Sequence, residues 1–195
     1  RLGRVDTGAA RPDLPKAPQS LGWASGAYIE GGLKQISAED MEQVLASRVY
    51  GAQFSVADDA FVLSGSTRPE DLDVQLQVLT AYAAEPGWRG EAFTRLQSAY
   101  KTANDQYEST DSGVLSRDLS LLLREGDKRW AFPSREQIAD AKLDDFRKMV
   151  APALADGPVE VVIVGDTTVE KATEAVARTL GALPPRPGTQ VPAAQ

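Results

Sequence analysis

The segment Val159-Glu160-Val161-Val162-Ile163-Val164 holds five β-branched apolar residues and one charge, and Gly165-Asp166 follows it at once. β-branched side chains fit a pleated surface better than a helix, so the run predicts a strand. Its near-continuous apolarity predicts a central strand, buried on most of its length. Thr167 to Glu170 then matches the S/T-x-x-E capping box, a helical run extends to Leu180, and Gly181 closes it. A strand that turns directly into a capped helix requires a sheet with helices laid against it. The rest of the chain must supply the other strands and the covering layer.

The 195 residues, 42% of them hydrophobic, suit one domain with a sizeable core. A net charge of -7 argues against nucleic acid, whose phosphates draw affinity from clustered Lys and Arg. The chain has no Cys, hence no disulfide framework and no thiolate chemistry, and no His, the commonest general base and zinc ligand. No apolar run approaches the roughly 20 residues of a membrane span. The first residue is Arg, which predicts a fragment or processed product whose targeting signal, if any, lies elsewhere.

Residues 1–19, with Gly3, Gly8, Pro12, Pro15 and Pro18, read as a truncated leading segment or connection, with a strand remnant at Leu2 to Val5. Leu21 to Ile29 reads as a buried helix stopped by Gly31-Gly32, and Ser37 caps a second, amphipathic helix whose apolar stripe is Met41, Val44 and Leu45. Val49 to Ala57 and Ala60 to Ser66 alternate around Asp58-Asp59, which predicts a β-hairpin. Pro69 then opens a helix lined by Leu72, Leu76, Leu79 and Ala83. The next carries Phe93, Leu96, Tyr100 and Tyr107, and another, Ser112 to Arg124, carries Leu115, Leu119, Leu122 and Leu123 as a layer-covering face. Ser134 caps a short helix, and Pro152 should bend or end the one from Leu143. Residues 20–183 are thus expected to form a single α+β domain, and 184–195 a Pro-rich linker or tail.

Candidate chemistry is sparse. One glycine at Gly165 does not make the three-glycine dinucleotide turn, so a nucleotide module on the strand-to-helix unit is the remote alternative. Asp58, Asp59, Glu160 and Asp166 are weighed as an oxygen-ligand metal site, but adjacent acids in a hairpin turn read better as solvated. Residues 101–118 carry charges that suit solvated helix faces. Trp88-Arg89 and Arg129-Trp130 put Trp and Arg in expected loops, the composition of binding hot spots, and form the candidate interface.

Taken in order, Gly31-Gly32-Leu33, the hairpin, Gly65 to Leu72, Pro86-Gly87-Trp88-Arg89, Val162 to Asp166 and Thr179 to Pro184 resemble one repeat of the insulinase/pitrilysin family of zinc metallopeptidases, over nearly the whole chain. The resemblance implies an α+β repeat: two layers, a mainly antiparallel or mixed sheet, and helices packed on one face. It also implies four such repeats closed around an extended peptide, with zinc in the first, held by H-x-x-E-H, activating water. Here the corresponding positions fall on Trp23, Gly26 and Ala27, none of which can hold zinc. A substrate-binding R-E-x-x-G-x-x-Y-S stretch of the last repeat is matched only by Arg124-Glu125-Gly126, without the Tyr-Ser.

The resemblance therefore implies a non-catalytic repeat, the third of four, with no catalytic, cofactor or metal residue of its own and with zinc in the parent protein. Its expected partners are sister domains and an extended peptide, with no nucleic acid and no membrane span. A periplasmic or secreted location is implied by the family alone. The alternative reading is a stand-alone non-catalytic subunit that assembles with an active chain.

Overall fold

The structure, a computed structural model, describes residues 2–7, 19–57, 60–123, 125–126 and 131–186. Among these, four antiparallel strands form one sheet: β1 (Leu2–Thr7), β2 (Gln53–Val56), β3 (Phe61–Ser66) and β4 (Glu160–Ile163), in the order β2-β3-β1-β4. β1 comes from the leading stretch and runs between β3 and β4. Around the sheet lie α1 (Ser25–Glu30), α2 (Ala38–Val44), α3 (Leu72–Ala84), α4 (Gly90–Glu108), α5 (Asp111–Leu123), α6 (Arg135–Asp140), α7 (Leu143–Asp156) and α8 (Val169–Arg178). The architecture is α+β, as the alternation of run types required.

Register fixes which residues face the helices. Phe54 lies opposite Leu63, Leu63 opposite Val5, and Val5 opposite Val161, so Phe54, Leu63 and Val161 share a row across the sheet. That row meets Tyr28 of α1, Leu79 and Tyr82 of α3, and Phe146 and Val150 of α7 in one core. Phe54 is central to it: its ring stacks on Tyr28 at 4.3 Å and meets Phe146 edge-on at 6.4 Å. Burying one such side chain contributes about 1.5–3 kcal/mol, so this cluster is the main non-polar support of the layer contact.

Four expectations need correction. β4 is an edge strand, paired only with β1 among the described residues, and its residues alternate between exposed and half-buried, with Val162 36% exposed. An apolar run reports β propensity, but the number of neighbours a strand has is a property of the whole sheet. The cap of α8 is Thr168, which accepts from the Lys171 N–H at 3.3 Å, one residue later than the capping-box match. Pro152 does not end its helix: α7 runs on to Asp156. Finally, the α5 leucines are not part of a covering layer; α5 has no buried residue, for reasons taken up below.

The other boundaries fall close to expectation. Ser37 accepts from Asp40 N–H at 3.0 Å, and Ser134 with Gln137 completes a reciprocal capping box. Pro69 opens a 3-10 turn, Pro69–Asp71, ahead of α3. The expected buried helix is split into a 3-10 segment, Gln19–Ala24, and α1. The turn residues Asp58 and Asp59 lie outside the described residues, as do 187–195 of the expected tail.

Candidate functional site

Four places could carry chemistry, beginning with the helix that the family resemblance assigns to a metal. Trp23, Gly26 and Ala27 lie at the junction of the 3-10 segment and α1, and the first two face α4. The Trp23 ring is 5.6 Å from Phe93 and 5.0 Å from Tyr100, and a Cβ on Gly26 would lie 3.4 Å from Leu96 Cδ2. Ala27 is buried in the same core. The polar atom present, Trp23 Nε1, is a donor and has no affinity for a cation. Where zinc ligands would stand, the side chains offer no lone pair, and they do not fit the metal. Among the described residues no group of three His, Cys, Asp or Glu is placed to hold one.

The Trp88-Arg89 turn is engaged within the molecule. Gly87 N–H donates to the Gly32 carbonyl at 2.8 Å, and Leu33 bridges to Pro86. The Arg89 guanidinium donates to the carbonyls of Gly31 and Leu33, the second at 2.8 Å, and so satisfies acceptors beyond the end of α1. Trp88 takes a positive φ of 48°, costly for a bulky residue, and its ring meets Tyr28 and Phe146 edge-on at 5.2 and 5.9 Å. Gly87 fits this turn because a Cβ would collide with the Gly31 carbonyl oxygen at 2.3 Å. Arg129 and Trp130, the other half of the candidate interface, lie outside the described residues.

A buried polar latch at the start of α3 was not legible in advance. The Asp71 carboxylate is fully buried and accepts from Val49 N–H at 2.9 Å, from Arg48 at 3.2 Å and from Arg68. The Val49 N–H, ahead of the arginines, holds its carboxyl below the usual carboxylate range. One turn on, Gln75 accepts from Gly51 N–H at 2.9 Å and donates to Gly51 C=O at 2.7 Å. The available signal was Gln75 itself, a polar residue beside Leu76 on a face otherwise lined by Leu72 and Leu79. With every group paired, the latch is structural: it ties the 45–52 loop to the sheet and to α3.

Beside it, at the C-terminal end of β4, a cavity of about 420 Å³ is lined by Thr67, Arg68, Pro69, Leu72, Ile163, Gly165, Asp166 and Thr167. Open α/β sheets bind phosphates at such places through a helix N-terminus. Here Thr168 already accepts from the first turn of α8, Arg68 is paired with Asp71 and Glu70, and Asp166 adds negative charge. The arrangement does not favour an anion.

Neither family models nor curated proteins match the sequence. Solved structures do. The periplasmic protease PqqL from Escherichia coli superposes with a TM-score of 0.69 at 17% identity, over 100% of this chain and 21% of that one. The peptidase M16 inactive domain from Pseudomonas fluorescens gives 0.70 at 16%, over 96% and 46%. Pitrilysin gives 0.60 at 18%, over 100% and 22%. The fold is that of a pitrilysin-type peptidase repeat. This chain spans less than half the length of each of these structures. Among the described residues no helix is long and apolar enough to cross a membrane.

Proposed function

We propose that this chain is a non-catalytic repeat of a zinc-dependent peptidase, forming part of the wall around an extended peptide and packing against sister repeats. What supports the reading is a pitrilysin-type fold in which Trp23 and Gly26, at positions the family resemblance gives to the metal, pack against α4. The chemistry belongs to another repeat that holds H-x-x-E-H, where zinc supplies an activated water. This chain contributes surface and shape. A location outside the cytoplasm, as named for PqqL, fits the same reading.

The test uses two preparations, this chain alone and the complete gene product that contains it, each assayed for zinc by atomic absorption and for cleavage of a quenched peptide. The expected result is metal and hydrolysis in the complete product and neither in this chain. Zinc-dependent hydrolysis by this chain alone would overturn the reading. So would a complete gene product without any H-x-x-E-H repeat that also fails to co-purify with a chain carrying one; co-purification would favour the separate-subunit form instead.

A further inference from the structure

The packing of α5 is inverted. Its half-buried positions are Gly113, Arg117, Asp118 and Leu121, while Leu115, Leu119, Leu122 and Leu123 stand 56%, 43%, 64% and 75% exposed. Successive leucines at i, i+4 and i+7 form one stripe on a helix, which normally faces a core. Here that stripe faces outward, while on the inner side Arg117, paired with its neighbour Asp118 at 2.8 Å, reaches Glu108 of α4 at 3.2 Å. Every exposed leucine among the described residues lies on α5. With Val114 they make one continuous patch; the other exposed large apolar side chains among the described residues, Val44, Val49, Val162, Val164 and Val169, lie outside α5.

We infer that this leucine face seats an apolar helix of another repeat in the same polypeptide, an assignment that rests on the function proposed above. Area chooses that occupant over a second copy. Thirteen residues at about 1.5 Å each give a face about 20 Å long and about 10 Å wide. That is a few hundred Å² at most, well short of the roughly 800 Å² per partner typical of a stable free complex. A tethered partner meets it at an effective concentration on the order of millimolar, where so small a face suffices. The structures of like fold are chains in which a domain of this kind is 21% or 46% of the length. Asp111 stands exposed on one flank of the stripe. The fitting partner helix is apolar at its centre and carries Lys or Arg along the edge that meets Asp111.

The chain has no cysteine, so Leu119→Cys introduces a unique thiol, read as the labelling rate of its peptide by mass spectrometry. In this chain alone the thiol should react as an exposed one. In the complete gene product it should react about tenfold slower or more, as expected when an interface is open about a tenth of the time. Ser98→Cys, exposed on α4 and away from the leucine face, controls for general access. Equal rates in the two preparations overturn the inference. Slow labelling in this chain alone also overturns it, pointing to a second copy if light scattering shows doubled mass and to a segment of this chain if it does not. An unprotected thiol in a product that still cleaves peptide leaves the peptidase reading standing, whereas a gene product with no further repeat removes both.

Discussion

Gln75 holds Gly51 by both of its backbone groups: the side-chain amide accepts the Gly51 N–H at 2.9 Å and donates to the Gly51 carbonyl at 2.7 Å. Gly65 makes room for this clamp, because a Cβ there would lie 2.0 Å from the Gly51 oxygen and 2.5 Å from Gln75 Nε2. A loop, a strand and a helix therefore depend on one pair of hydrogen bonds. Gln75→Leu should cost roughly 2–4 kcal/mol, since it leaves two backbone groups unpaired at about 1–3 kcal/mol each. Urea denaturation measures it; a loss under 0.5 kcal/mol, the usual range for an inert surface site, would contradict the clamp.

The Asp71 carboxyl is held below its ordinary value of 3.8 by the Val49 N–H, Arg68 and Arg48. Because the folded value is the lower one, its contribution is fully present above the ordinary value and is lost as pH falls through the depressed value. The wild type should thus lose thermal stability progressively below about pH 4. Asp118, Glu136 and Glu170 are shifted in the same direction and share in the loss. Asp71→Asn should melt lower at neutral pH and show a shallower acid dependence, followed by scanning calorimetry across pH. An unchanged acid slope would show that the carboxylate is not coupled to folding.

Tyr28 donates its hydroxyl to the Tyr82 carbonyl, and Tyr82 donates to Ile29 C=O at 3.0 Å. Burial pushes the Tyr28 phenol far up and that of Tyr82 up to about 12. Raised folded values mean stability that is complete below the ordinary value of 10.0 and falls as pH climbs through the folded ones. Tyrosinate absorbance from these two residues should therefore appear together with loss of far-UV circular dichroism above about pH 10. Smooth ionisation of every tyrosine in a folded chain would be the contrary result.

Two leucines separate core from surface. Leu79 is fully buried against Tyr82 and the α7 side chains, and Leu79→Ala should cost about 2–5 kcal/mol. Leu122 is 64% exposed, and Leu122→Ala in this chain alone should stay within about 0.5 kcal/mol. Parallel guanidinium titrations decide it; comparable losses would mean that α5 is packed within this chain.

Much of the fold was legible because local chemistry is written locally. The Ser37 and Ser134 caps, Pro69 ahead of α3, and the alternation of Phe54 and Phe61 each follow from a side chain acting within a few residues. Position in the sheet was not legible, and β4 shows why. Val159 to Val164 marks a strand by its own composition, but its place at the edge follows from β1 lying between it and β3. The Thr167 match failed by one residue because a four-residue pattern does not fix where the backbone turns helical. The α5 leucines gave the right helix and the wrong environment, since helical spacing identifies a face and not what covers it.

The sequence by itself determined that this chain holds no histidine and no cysteine. Those are statements about atoms, independent of conformation. Only the tertiary structure decided that Trp23 packs on Phe93 and Tyr100, that Arg89 is held by the Gly31 and Leu33 carbonyls, and that the α5 leucines face outward. Each depends on a partner many residues away or on the lack of one, and burial and hydrogen bonding are set by such pairs.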